Sequence, residues 1–208
     1  MKYDSLNVKE IFLSIQGEGA RQGELSIFIR LSGCNMNCSF CDTDWSPGKD
    51  MSIKEIINEI SRYKCTWIVW TGGEPTLQLT DEIIKQFPLK YLHAIETNGS
   101  NPVPDSIDYI ACSPKVSNEI LNKNFNYVDE LRYAVDILTS EGLENVTKLR
   151  ETKIDDLPDA KHYYLSPVFV AKKKDKISPL NVLSCLGLIK ENPIWKLSIQ
   201  VHKLIDTQ

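Results

Sequence analysis

Residues 66–75 read Thr-Trp-Ile-Val-Trp-Thr-Gly-Gly-Glu-Pro. Aromatic and β-branched residues closed by paired glycines predict a short buried strand, Thr66–Thr71, that stops abruptly before Gly72. Working outward, similar runs predict strands over Val8–Ile15, Ser26–Leu31, Tyr91–Glu96, Tyr109–Ser113, Leu131–Asp136, His162–Ser166 and Lys196–His202. Helical patterns fall between some of them. Ser52-Ile-Lys-Glu55 has the form of a capping box and leads into Ile53, Ile56, Ile57 and Ile60 at helical spacing. Asp81–Phe87 follows Thr80 as N-cap, and Pro179–Glu191 opens on a first-turn proline with Val182, Leu183, Leu186 and Ile189 along one face. Strands alternating with helices predict βα units and a mainly parallel sheet. Residues 101–161 show weaker helical patterning. The expected fold is therefore α/β, a partial or degenerate (β/α) barrel, since eight full repeats take about 250 residues.

The polar motifs then recur where such a fold builds a site. Thr71-Gly-Gly-Glu-Pro75, Glu96-Thr-Asn-Gly99, Ser113-Pro-Lys115 and Ser166-Pro167 each fall at the end of an expected strand. Strand ends on one face of a barrel converge on a common site.

Composition narrows the function classes. The 208 residues suit one domain with a substantial core, and 42% apolar with 25% charged residues is ordinary for a globular protein. A net charge of −4 gives no reason to expect nucleic acid or a membrane as partner. No apolar run approaches the roughly 18 residues of a bilayer span, and the start MKYDSLNVKEIF lacks the pattern of a signal peptide, so a cytoplasmic location is expected. Clustered cysteines there stay reduced and read as ligands or catalysts.

Such a cluster lies in Gly33-Cys-Asn-Met-Asn-Cys-Ser-Phe-Cys-Asp-Thr-Asp-Trp45, where Cys34, Cys38 and Cys41 are spaced C-x-x-x-C-x-x-C. Buried core thiols would sit badly in so polar a loop. Structural zinc needs four ligands, and His93, His162 and His202 are scattered along the chain. A 4Fe–4S cluster held by three thiolates leaves one iron open for a ligand that takes part in chemistry. Cys65, Cys112 and Cys185 read as small buried hydrophobes.

C-x-x-x-C-x-aromatic-C, with Phe40 as the aromatic, resembles the signature of radical S-adenosylmethionine (SAM) enzymes, and Thr71-Gly-Gly-Glu-Pro75 resembles that superfamily's GGEP motif. Nearly the whole chain is similar to the 7-carboxy-7-deazaguanine synthase family, through Ser14-Ile-Gln-Gly-Glu-Gly19, Phe28-Ile-Arg-Leu-Ser-Gly-Cys34, Cys41-Asp-Thr43, the strand-end motifs and Ile199-Gln-Val-His-Lys203, which resembles the family's closing strand. The resemblance implies a single radical SAM domain over residues 1–208, in which SAM chelates the open iron and its reductive cleavage yields a 5′-deoxyadenosyl radical. It implies a lyase of 7-deazapurine (queuosine) biosynthesis, acting on 6-carboxy-5,6,7,8-tetrahydropterin with loss of ammonia, with Mg²⁺ near the substrate carboxylate. A homodimer and an electron donor such as flavodoxin are implied partners.

Residue by residue, the resemblance assigns Cys34, Cys38 and Cys41 to the cluster and Thr43 to Mg²⁺. It assigns Phe40, Cys41, Asp42, Gly73, Ser113, Pro114, Lys115, Ser166 and Pro167 to cofactor binding. Ile15, Gln16, Gly17, Arg30 and Thr71 fall to the substrate, with Glu18 a further candidate. Arg30 has the rigid fork to pair a carboxylate, though a surface ion pair is its plain alternative. Ser166-Pro167 departs from the family's Gln-Pro, and no role is assigned to Gln208. His202 reads as a structural histidine or as a neighbour of the site. A glycyl-radical activating enzyme and a non-catalytic iron–sulfur or zinc module are the rival readings, and Gln16-Gly-Glu-Gly19 with Cys41-Asp-Thr43 argues against the first. The run Ala171-Lys-Lys-Lys-Asp-Lys176 is a solvated loop or a docking patch for an acidic electron donor.

Overall fold

The sheet seen in the computed structural model, which describes residues 4–169 and 177–207, has one antiparallel edge and a parallel body. The lysine run expected at residues 171–176, and Gln208, lie outside the described residues. In chain order the strands are β1 (Ser5–Ile15), β2 (Leu25–Leu31), β3 (Lys49–Ser52), β4 (Trp67–Gly72), β5 (Leu92–Thr97), β6 (Tyr109–Cys112), β7 (Tyr127–Val135), β8 (Asp159–Pro167) and β9 (Trp195–Leu197). They lie in the order β3-β1-β2-β4-β5-β6-β7-β8-β9. From β2 through β9 every neighbouring pair is parallel, while β1 runs antiparallel to both β2 and β3. The sheet does not close, so the expected partial barrel is an open one.

The helices are α1 (Ile53–Ile60), α2 (Asp81–Ile84), α3 (Asn118–Asn124), α4 (Ser140–Glu151), α5 (Pro179–Glu191) and α6 (Val201–Leu204). The capping box at α1 forms as expected, with Ser52 Oγ accepting from the Glu55 amide and the Glu55 carboxylate accepting from the Ser52 amide at 2.7 Å. The helices α3 and α4 escape the periodicity argument because they bury little. Only Leu121 is buried in α3, and only Gly142, Val146 and Leu149 in α4, so no apolar stripe marks either. Their N-caps, Ser117 and Thr139, do the local work by accepting from the Ile120 and Gly142 amides.

One expected element is corrected. The strand expected over Lys196–His202 ends at Leu197, and the chain then turns into α6. The Ser198 amide makes the last bond to the sheet, on the Leu165 carbonyl at 2.9 Å. Beyond it the Val201 amide donates to the Gly17 carbonyl at 3.0 Å, which draws the C-terminal segment off the sheet and onto the loop after β1. Cys65 is also corrected. It is half-buried before β4 with its thiol 3.2 Å from the Leu25 carbonyl, whereas Cys112 and Cys185 are buried as expected.

Strand alternation sorts the side chains onto two faces. One set, including Ile27, Ile29, Leu31, Ile68, Trp70 and Ile95, packs beneath Ile53, Ile56 and Ile60 of α1 and Ile83 of α2. A second cluster joins Leu131, Val135 and Leu165 to Leu121, Val146, Leu149, Cys185 and Leu188 of α3, α4 and α5. The alternate set faces away from those helices. It begins as a small apolar layer of Phe28, Val69 and Ala94, and toward the strands' C-terminal ends it becomes Arg30, Thr71, Glu96, Arg132 and Ser166. Register brings these ends level: Arg30 pairs with Thr71, Glu96 with Ala111, and Ala134 with Ser166.

Candidate active site

A cleft of about 880 Å³ opens over this second face, and the strand ends, the cysteine loop, the loop after β1 and the C-terminal segment all line it. Its volume is that of a site for small molecules. Of the residues expected at the site, Ile15, Gln16, Gly17, Arg30, Cys34, Cys38, Phe40, Cys41, Asp42, Thr43, Thr71, Gly73, Ser113, Lys115, Ser166 and Pro167 line the cleft. Pro114 does not; it is buried beside Ser113 and shapes the turn.

The cysteine loop is held by the motif after β4. The Gly73 amide donates to the Leu31 carbonyl at 3.0 Å and the Glu74 amide to the Gly33 carbonyl at 2.9 Å. A Cβ on Gly73 would run into the Gly33 carbonyl, so glycine is required there by the approach of two backbones. The fully buried Glu74 carboxylate accepts from Thr97 Oγ1 (2.9 Å), the Asn98 amide (2.7 Å), the Thr76 amide (3.0 Å) and Thr76 Oγ1 (2.6 Å). These four bonds compensate a buried carboxylate and tie the end of β4 to the end of β5. Asn98 reaches onward from that end to Asn35 inside the loop, at 2.9 Å.

Three thiols are thereby presented to one cleft, and among the described residues no three His, Cys, Asp or Glu side chains converge to hold a single ion; a cube instead takes each thiolate on a different iron. Burial pushes the Cys38 thiol up; the Lys115 ammonium pulls it down, and the neighbouring Cys41 and Cys34 add to the rise. Lys115 is itself pushed down by burial, with its Nζ 2.9 Å from Ser113 Oγ and 5.2 Å over the Phe40 ring. A cation beside Cys38 offsets charge when that thiol ionises. The donor set and its surroundings fit a three-thiolate cluster.

Thr43 is half-buried, its hydroxyl 3.4 Å from the Asp42 carboxylate. Burial works to raise the Asp42 carboxyl, but Lys203 holds it below the usual range through a direct ion pair. A hydroxyl beside an ionised carboxylate on the cleft wall suits Mg²⁺, which keeps most of its waters. Arg30 pairs with Glu10 at 2.6 Å and lies over Phe12, which stacks on Phe28 at 5.1 Å. Arg30 is thus ion-paired, as its plain alternative had it, and also lines the cleft.

The same cleft holds a buried charged cluster, joined to the cysteine loop through Glu18, Gln200, Lys203 and Asp42. Arg132 Nη1 is 2.9 Å from Glu18, and Nη2 is 3.2 Å from Glu130 and 3.4 Å from Glu96. Glu18 also accepts from Gln200 (2.6 Å) and Ser166 (3.3 Å), and Glu96 from Thr71 (2.8 Å) and Gln16 (3.1 Å). Burial alone would raise the Glu96 carboxyl, yet Arg132 and these hydrogen bonds hold it below its ordinary value. Glu130, on the Ala20 amide at 2.9 Å, is instead pushed up by burial despite the same arginine. The glycines of Gln16-Gly-Glu-Gly19 belong to this packing: a Cβ on Gly17 would strike the His202 ring, and one on Gly19, which has φ +71°, the Glu130 carboxylate. Sequence reasoning missed Arg132, Glu130, Gln200 and Lys203, and left His202 as either a structural histidine or a neighbour of the site; His202 lines the cleft, and burial pushes its imidazole down.

Comparison with known proteins agrees with this geometry. The family model described as "Radical SAM superfamily" matches residues 28–154. The 7-carboxy-7-deazaguanine synthase of Bacteroides thetaiotaomicron is 38% identical over 201 residues, covering 96% of this chain and 97% of the relative. That of Haemophilus influenzae is 36% identical, covering 97% and 93%. The crystal structure of QueE from Escherichia coli shares the fold with a TM-score of 0.67 over 94% of each chain, at 24% identity. A chain that matches such relatives from end to end belongs to the 7-carboxy-7-deazaguanine synthase family of the radical SAM superfamily.

Proposed function

We propose that this chain is a radical SAM lyase that converts 6-carboxy-5,6,7,8-tetrahydropterin to 7-carboxy-7-deazaguanine with loss of ammonia. The observation that carries the reading is that one cleft gathers the three-thiol loop together with Gln16, Arg30, Thr71 and the carboxylates of Glu18 and Glu96. When bound, the reduced 4Fe–4S cluster with SAM supplies a 5′-deoxyadenosyl radical. Cys34, Cys38 and Cys41 hold the cluster. Phe40, Asp42, Gly73, Ser113, Lys115, Ser166 and Pro167 form the wall for SAM. Arg30 takes the substrate carboxylate with Mg²⁺ on Thr43, and Gln16, with the backbone of Ile15 and Gly17, orients the ring beside Thr71.

The apolar layer of Phe28, Val69 and Ala94 beneath the cleft helps exclude water from a radical. Residues 1–208 act as one domain, the working form is a homodimer in the cytoplasm, and a flavodoxin-like protein supplies electrons. No helix among the described residues is long and apolar enough to cross a membrane. The test is anaerobic incubation of cluster-loaded protein with SAM, Mg²⁺, a reductant and the tetrahydropterin, with products separated by chromatography. Formation of 7-carboxy-7-deazaguanine is expected. SAM cleavage without any deazaguanine product would refute the substrate.

A further inference from the structure

We propose that Arg132 is the positioning residue for substrate recognition: its guanidinium fixes Glu18 and Glu96 as one acceptor pair on the cleft wall, which reads the N–H-rich edge of the ligand. The inference rests on the pterin reading above. Arg132 is 6% exposed, and with one positive charge among three carboxylates it leaves the cluster negative in excess. Glu130 is the anchor, two residues back on the same face of β7, with its side chain 3% exposed and off the cleft wall. Glu18 and Glu96 are the working pair, at 14% and 29%, and both line the cleft.

Each of these two carboxylates is oriented from several sides, by Gln200 and Ser166 or by Thr71 and Gln16. Their oxygens retain lone pairs beyond those bonds. An uncompensated negative cluster costs free energy in a dry site, and a ligand edge that donates several hydrogens recovers it. A 2-amino-4-oxopyrimidine ring offers such an edge, through its amino group and adjacent ring N–H. Lysine carries the charge but is a point, and has no planar fork to hold two carboxylates at once. The Arg132 Nε–H is buried without a partner among the described residues, so the orientation of the fork is set by the carboxylates on its two Nη atoms.

The test compares wild type with Arg132→Lys, both cluster-loaded. SAM binding and substrate-free 5′-deoxyadenosine formation check that the fold and the cysteine loop are intact, and both are expected within about twofold of wild type. Hydrogen bonds to charged groups contribute about 1.5–3 kcal/mol, so KM for the tetrahydropterin should rise about 10- to 100-fold, with a smaller fall in kcat. Equilibrium binding of 6-carboxypterin and of its 2-oxo analogue, 6-carboxylumazine, provides a readout independent of turnover. Wild type should prefer the amino compound and Arg132→Lys should lose that preference. If Arg132→Lys does not fold, the pair Arg132→Gln with Glu130→Gln removes one charge of each sign and takes its place.

Unchanged KM and unchanged preference in the variant would overturn the role of Arg132. A wild type that binds both compounds equally would overturn the acceptor-pair reading. A wild type that prefers the pterin and an Arg132→Lys that loses that preference, with no deazaguanine formed by either, would sink the proposed reaction and leave the role of Arg132 standing.

Discussion

His93 makes acid stability a direct test of the packing beneath the site. Its side chain lies on the helix-covered face of β5, where the residue is 5% exposed. Trp70 Nε1–H donates to His93 Nδ1 at 3.1 Å, the two rings are nearly parallel (9°), and Phe87 meets the imidazole edge-on. An imidazole that accepts at Nδ1 carries its one proton on Nε2, so a second proton would turn the Trp70 contact into two opposed donors. Burial pushes the group from its ordinary 6.5 down to about 4, with Asp108 offsetting part of the fall.

The folded state therefore resists protonation more than the unfolded chain does. Between those two values the unfolded chain binds more protons, so stability falls as pH drops; the contribution is complete above 6.5 and lost on the way to about 4. Integrating the difference in bound protons gives a loss of about 2 kcal/mol between pH 7.5 and pH 5. His93→Asn keeps an acceptor near the Nδ1 position and removes the titration. Urea unfolding of identically reconstituted wild type and variant, followed by tryptophan fluorescence at both pH values, isolates the term, because other groups cancel in the difference. Wild type should lose about 2 kcal/mol more than the variant. Parallel losses would refute a buried neutral imidazole at this position.

The remaining expectations concern the cleft. Cys38→Ala should abolish iron–sulfur absorption and SAM cleavage, whereas Cys185→Ala, in the core, should cost about 2 kcal/mol of stability and keep both; a fully loaded Cys38→Ala protein would remove the ligand assignment. Thr43→Ala should weaken Mg²⁺-dependent turnover while substrate-free SAM cleavage persists, and an unaltered Mg²⁺ titration would exclude a direct ligand. Gly73→Ala should displace the Gly33 backbone at a cost of about 1–3 kcal/mol, read as a lower unfolding midpoint together with reduced iron content; wild-type values for both would mean that the two backbones are not clamped.

Much of the fold was legible because its strands are short, β-branched or aromatic, and closed by glycine or proline, as in Trp67–Gly72. Two helices carried explicit start signals, at Ser52 and Pro179. What escaped depends on tertiary pairing. The strand β3, Lys-Asp-Met-Ser, is polar and, among the described residues, pairs only with β1, so nothing local marks it. The closing strand failed because the Gly17 carbonyl, from the other end of the chain, captures the Val201 amide. The cysteine loop was legible because three thiols in a polar loop have few other uses. The resemblance assigned Gly73 to cofactor binding, but Gly72 and Gly73 first serve an approach to the backbone of Leu31 and Gly33.

Arg132 shows why the charged cluster of the candidate site stayed hidden. Alternation along a strand says which residues share a face, but not whether water, a helix or a cleft lies over it. Glu130 and Arg132 in Tyr127–Val135 have the period of a solvent-facing edge, and so does Glu96 in Leu92–Thr97. Only parallel register across the sheet, which places Ala111 between Glu96 and Glu130, reveals that their acids lie two strands apart on one inner wall. Four ionisable groups there would be improbable as mere packing, since burying them costs several kcal/mol per ion unless their partners are well placed. The cluster meets that demand internally with a single arginine and leaves negative charge in excess toward the cleft. The cysteine loop in the same cleft also gains negative charge when its thiols ionise, with Lys115 as the nearby cation. Under the proposed reading the amino edge of the pterin answers the excess at the charged cluster, by bringing hydrogen donors to Glu18 and Glu96.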